Sequence, residues 1–208
     1  MTMLKQLIST VSDAKEDFAA YGEVLVDLSV DNEAWGNVPL VDHAVRLLRI
    51  RDVYQKNKLK RNYAAFVQAA SRMDFAETQS LLGKFRSNES LSEEVAETIF
   101  DVIVGAQKPV KAEVLGNFAV ALARGDLTLD DYNTLALMVH SCSVSALLAL
   151  PEFLNNNGGK LHCSRPGPVA DEGLLFSLGV GTRHGNMFRI DERGRQLAQH
   201  GFNCKIVA

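Results

Sequence analysis

One stretch limits what this chain can fold into more than any other. Residues 109–139 read PVKAEVLGNFAVALARGDLTLDDYNTLALMV. Val110, Val114, Leu115, Phe118, Ala121 and Leu122 recur at the three- and four-residue steps that line one face of a helix. The pattern restarts after Leu127. Thr128 carries the hydroxyl of an N-cap, and Asp130 and Asp131 suit the positive end of a new helix. Tyr132, Leu135, Ala136 and Val139 then repeat the apolar face. Arg-Gly-Asp-Leu at 124–127 is a short tie, so two antiparallel neighbours are expected.

The same periodicity runs through most of the chain. Residues 2–20 place Leu4, Leu7, Ile8, Val11, Ala14, Phe18 and Ala19 on one side, and Gly22 ends that helix. Residues 23–30 alternate like a strand that has no partner, so they read as helix or extended connection. Residues 31–39 form a turn with Asp31-Asn32, Gly36-Asn37 and Pro39. Trp35 within it reads as a lid on the core, with a stacking platform or partner anchor as the alternative. From Pro39, Leu40, Val41, Ala44, Leu47, Leu48, Val53, Leu59, Tyr63, Phe66, Val67 and Ala70 carry an apolar face over 40–71, as one long helix or two abutting ones. Asp74 with Glu77, and Ser90 with Glu93, read as capping boxes opening helices over 75–86 and 91–105, the second stopped by Gly105. A short helix over 143–155 is kinked or restarted by Pro151.

The periodicity stops at 155–168, NNNGGKLHCSRPGP, where Asn, Gly and Pro dominate. The tail then predicts a helix over 171–178 and strands over 179–182 and 187–190 around a tip of Arg183-His184-Gly185-Asn186. A last helix over 192–200 follows, capped by Asp191 and ended by Gly201. The expected fold is mainly α: a multi-helix domain over 1–154, a linker over 155–168 and a small helix-hairpin-helix α+β module over 169–208.

Composition narrows the function classes. Apolar residues at 47% with 23% charged side chains are ordinary for a globular protein. No window approaches the eighteen uncharged apolar residues of a spanning helix, and the first residues lack the apolar core of a signal peptide. Three scattered cysteines are too few for a disulfide framework, which points to a reducing, cytoplasmic setting. The net charge of −3 predicts no general affinity for nucleic acid.

The charge is unevenly spread. Residues 1–45 hold eight acidic and two basic side chains, a net of −6, while residues 46–61 hold seven basic and one acidic, a net of +6. Arg46, Arg49, Arg51, Lys56, Lys58, Lys60 and Arg61 therefore form a candidate basic patch. The simplest account is intramolecular, with the acidic opening covering the patch. As a free surface it would bind a phosphate backbone, with Tyr54 and Tyr63 as stackers and with help from Lys160, Arg165, Arg183 and Arg189. The amphipathic segment 40–59 would equally lie on an anionic membrane surface. At the hairpin tip, Arg183, His184 and Arg189 are the candidate contact residues.

Catalytic signatures are missing. The glycines assemble into neither a phosphate loop nor a dinucleotide fingerprint, and no nucleophile elbow or HExxH is present. His140, Cys142, His162, Cys163, His200 and Cys204 are ligand types suited to zinc, but none is spaced as a paired CxxC or a finger. His162-Cys163 has no orienting acid beside it. Helix N-terminal positions account for Asp130-Asp131 and Glu93-Glu94. The reading is of a protein without catalytic residues, metal, cofactor or small-molecule ligand.

Four segments carry a resemblance: Asn37-Val38-Pro39-Leu40-Val41, Asp52-Val53-Tyr54-Gln55-Lys56-Asn57-Lys58-Leu59, Lys111-Ala112-Glu113-Val114-Leu115-Gly116-Asn117-Phe118, and Gly125-Asp126-Leu127-Thr128-Leu129-Asp130-Asp131-Tyr132. Through them, residues 23–153 resemble a loosely defined group of uncharacterised bacterial and phage-associated helical proteins. The resemblance implies a helical bundle and a link to phage or mobile-element biology. It carries over no catalytic residue. Members often place a glycine-containing apolar stretch after the proline; this chain has Asp42-His43, so no membrane role is carried over. In the tail, LLFSLGV and MFRIDERGRQLA resemble the wing half of a winged helix, without a recognition helix just upstream. The functional expectation is a non-enzymatic interaction or regulatory protein with a protein partner or a second copy of itself. Nucleic-acid binding and peripheral membrane association are the alternatives.

Overall fold

The computed structural model describes residues 53–207. The expected helix at 2–20, residues 23–30, the turn holding Trp35, the start at Pro39 and the cations Arg46, Arg49 and Arg51 lie outside the described residues. The element order is α1 (Val53–Ala70), α2 (Phe75–Ser87), α3 (Glu89–Gly105), α4 (Val110–Arg124), α5 (Leu129–Ser141), α6 (Val144–Asn156), β1 (His162–Ser164), α7 (Glu172–Leu178), β2 (Gly181–His184), β3 (Met187–Ile190) and α8 (Glu192–Gln196). A π-helical turn, Leu197–Gly201, closes the run. The class is mainly α with a small three-stranded antiparallel sheet. The chain divides into two compact units, residues 1–136 and 137–208, with the boundary inside α5.

The first unit is built around α4. From Lys111 to Ala123 every side chain except Glu113 is buried. Its one glycine explains how α1 approaches so closely. A Cβ on Gly116 would lie 2.7 Å from the Ala69 Cβ and would strike the Phe66 carbonyl oxygen. Tyr132 from α5 is fully buried and meets Phe118 edge-on, ring centroids 6.0 Å apart. Its hydroxyl donates to the Leu115 carbonyl at 2.9 Å. Burial pushes the phenol well above its ordinary pKa, so it stays a neutral donor.

Helix ends in this unit are closed by side chains from neighbouring helices. A buried helix terminus has no water to satisfy its last carbonyls. The buried Asn62 amide of α1 donates to Ile103 O at 2.9 Å and to Ala106 O at 2.8 Å, at the end of α3. For α4, Ser80 of α2 donates to Ala123 O at 2.8 Å, and the Lys84 ammonium reaches Leu122 O. Gly125, at φ 87°, turns the chain left-handed there, the conformation that only glycine adopts without cost.

The local start signals are mixed in outcome. Asp74 and Glu77 form the expected capping box, each side chain bonded to the other's backbone at 2.8 Å. Thr128 and Asp131 form an equivalent reciprocal pair. Ser90, read as the next cap, lies inside α3. Asn88 caps that helix instead, accepting from Leu91 N at 3.2 Å, so the helix starts two residues earlier. Pro151 does not restart its segment: α6 runs through it from Val144 to Asn156. Proline removes one donor and leaves the carbonyl four residues back unbonded, and a single such loss leaves the other turns in place.

Two substitutions test this packing. Gly116→Val should destabilise the first unit by about 2 kcal/mol or more, because neither the Phe66 carbonyl nor the Ala69 methyl can retreat within a helix; urea titration of the variant measures it. Asn62→Ala should cost about 2 kcal/mol by leaving two carbonyls at the end of α3 without their donor. A melting temperature unchanged from the parent would contradict this role.

Candidate interaction surface on the C-terminal module

The second unit centres on Phe188. It alternates with exposed neighbours along β3: Met187 and Arg189 face out, while Phe188 and Ile190 are buried. Phe153 of α6 and Phe176 of α7 meet its ring edge-on, centroids 5.3 and 5.8 Å away. Gly181 and Gly194 allow this closeness. A Cβ on Gly181 would sit 2.9 Å from the Phe188 ring, and one on Gly194 would sit 2.8 Å from the Val180 Cβ.

The sheet order is β1-β3-β2, so a segment expected to be linker supplies a strand. His162, Cys163 and Ser164 pair with Arg189, Phe188 and Met187. Nothing in the local run NNNGGKLHCSRPGP marks a strand. Its pairing depends on β3, more than twenty residues on. The hairpin tip is also shorter than expected. Only Gly185 and Asn186 lie between β2 and β3, with Gly185 at φ 57°, the sign that a tight two-residue hairpin demands at its first position.

Arg183 and His184 are thus strand residues, not tip residues. Arg183 points back into the module. Its Nε and one terminal nitrogen grip the two Glu172 oxygens at 2.5 and 2.6 Å, and its guanidinium carbon lies 5.8 Å from the centre of the Phe188 ring. Glu172 is buried and also accepts from Val169 N at 2.7 Å. A bidentate fork of this kind engages both carboxylate oxygens. Arg183 is structural. Sequence reasoning saw the cation and missed the carboxylate that consumes it, because eleven residues separate the two.

The outer face of the sheet is what remains available. Cross-strand register sets His162, Arg189 and Thr182 in one row and Ser164, Met187 and His184 in the next, and all six are exposed. Beside these rows an open groove of about 1030 Å³ runs between the sheet, the Arg195–Gln199 side of the last helical turns and the final residues. Leu161, Met187, Ile206 and Val207 supply its apolar walls. Arg189, Arg195 and Lys205 supply its charge, and among the described residues no carboxylate lines it. Arg195 is committed to Glu192, and its guanidinium holds that carboxyl below the usual carboxylate range. Arg189 and Lys205 have no ion-pair partner among the described residues.

The four described members of the basic helix patch are Lys56, Lys58, Lys60 and Arg61. They do not share one face of α1, since residues two apart on a helix point to different sides. Lys58 turns to the end of α3, with its ammonium 3.5 Å from Gly105 O. Of the candidate metal ligands, His140, Cys142, His162, Cys163, His200 and Cys204, no group of three or more is assembled with acids or one another among the described residues. Cys163 instead lines a separate small pocket with Glu152, Asn157 and Asp171. No single helix among the described residues is long and apolar enough to cross a membrane.

The Glu172–Arg183 pair has a consequence for acid stability. The guanidinium holds the Glu172 carboxyl below the usual carboxylate range, so the folded value lies below the unfolded one. Its contribution is then present above the unfolded pKa and lost as the pH falls through the folded value. Thermal melts of the parent should lose stability across the acid range. Those of Glu172→Gln should start lower at neutral pH and vary less with acid.

Compared with known proteins, the chain matches no family model, no curated protein and no solved structure.

Proposed function

We propose that this chain is a non-enzymatic interaction protein, with a helical unit as its body and the C-terminal module as the part that meets a protein partner. The observation that carries the reading is the open groove beside the outer sheet face, apolar along its walls and bearing Arg189 and Lys205, which have no ion-pair partner among the described residues. Several of the charged groups are bound into structure. Glu172 and Arg183 hold each other. Asp74 and Glu77 cap α2, Asp131 accepts from the backbone of the Thr128 cap, and Asp191 caps α8. A regulatory role in phage or mobile-element biology, which the sequence resemblance implies, belongs to the same proposal.

Nucleic-acid binding is the second reading. It is favoured by the hairpin with exposed Arg189, next to Lys160 and Arg165 on the same module. The two readings part on partner identity. Affinity purification of the full chain from its host should recover a defined protein or a homo-oligomer, in amounts that nuclease treatment leaves unchanged. A strictly monomeric chain with no co-purifying protein would overturn the proposal. Recovery abolished by nuclease would favour the second reading.

A further inference from the structure

The groove on the C-terminal module has a chemistry specific enough to name its occupant. Resting on the interaction reading above, we infer that it seats an acidic peptide segment of a partner protein, one that carries large aliphatic side chains among its carboxylates.

Three features of the groove select this ligand. The first is charge. Arg189 and Lys205 stand at it without counter-ions among the described residues, while Arg195 is already paired with Glu192. With no carboxylate residue in the lining among the described residues, an anionic occupant gains attraction from both cations. The second is the apolar wall. Met187 is half exposed and so is Val207, and together with Leu161 and Ile206 they leave aliphatic surface that an occupant would cover. Methionine is unbranched and adapts its shape to the side chain laid against it.

The third feature separates a peptide from a nucleic acid. A phosphodiester strand carries the charge but no aliphatic groups to fill such walls. Single strands compensate by stacking bases on aromatic faces. The lining holds no Phe, Tyr or Trp. Phe188, the nearest ring in sequence, is turned into the core.

The same geometry fixes how the peptide is held. Strand addition at an open sheet edge is the common alternative for extended peptides. Here the carbonyls leading into and starting the outer edge of β1 are already taken. The Asn157 amide donates to both Lys160 O and His162 O at 2.8 Å, and Val207 N donates to Gly159 O at 2.9 Å. The occupant therefore binds through side chains laid into the groove: carboxylates on Arg189 and Lys205, aliphatic groups between Met187 and Val207.

The test uses the full chain and fluorescence anisotropy. The probe is a labelled peptide of about fifteen residues, with leucines at helical anchor spacing and glutamates elsewhere. Its controls are the same peptide with lysine for glutamate, a polyglutamate of equal length, and labelled single- and double-stranded DNA. The parent should bind the acidic leucine peptide at least about tenfold more tightly than either peptide control, and binding should weaken with salt. Arg189→Gln with Lys205→Gln, and separately Met187→Asp, should each lower the affinity about tenfold at an unchanged melting temperature. Both sites are exposed, so folding should survive; if one variant melts early, the other decides.

No binding of the acidic leucine peptide would overturn the inference. So would binding that both folded variants retain, or tighter binding of DNA that displaces the peptide. Failure here is distinguishable from failure of the interaction reading. A native protein partner whose recovery survives both substitutions would remove the groove as its seat and leave the reading standing.

Discussion

The described helices of the first unit are arranged around one helix buried on nearly every side. α4 is apolar or small over most of its circumference, and a helix of that kind must be surrounded. Surrounding it has two costs that the other helices meet. Close approach requires a position without a side chain, which Gly116 supplies against α1. Desolvated helix ends require donors, which Asn62, Ser80 and Lys84 supply from neighbouring elements. The hydrophobic effect drives the packing, but it is non-directional. These polar contacts fix which helix lies where.

The second unit uses a different device. Its core is small, and a single phenylalanine takes contacts from two helices. A buried ion pair would be a poor source of stability by itself, since desolvation offsets most of the attraction. Glu172 and Arg183 avoid much of that cost. The arginine stays partly exposed, at 21% of its side-chain surface, and the carboxylate takes a backbone donor as well. The pair ties α7 to β2. It thereby holds Phe176 against Phe188 and leaves the opposite sheet face to carry Arg189 and Met187 outward.

Helices were legible in the sequence because their signal is local. Pro109 and Gly125 bracket α4, and the Asp74–Glu77 box opens α2, each within a few residues of the feature it controls. Where two local signals compete, the reading slipped: Asn88 stands two residues before Ser90 and takes the cap first. The hairpin was visible in Gly185-Asn186 but placed too wide, since a strand boundary depends on how far pairing extends. β1 was invisible. A three-residue strand in a run of Asn, Gly and Pro exists only because β3 offers it partners.

The sequence by itself determined that this chain is mainly helical, that its fourth described helix is a core helix, and that a hairpin lies between two helices near its end. Periodicity and capping decide those matters over one or two turns. Only the tertiary structure decided which charges are spent and which are left. Arg183 and Arg189 look alike in a linear reading, six residues apart on one hairpin. One meets a buried carboxylate and the other faces solvent beside an apolar groove. That difference comes from strand register, which turns alternate side chains to opposite faces and is fixed by partners far along the chain.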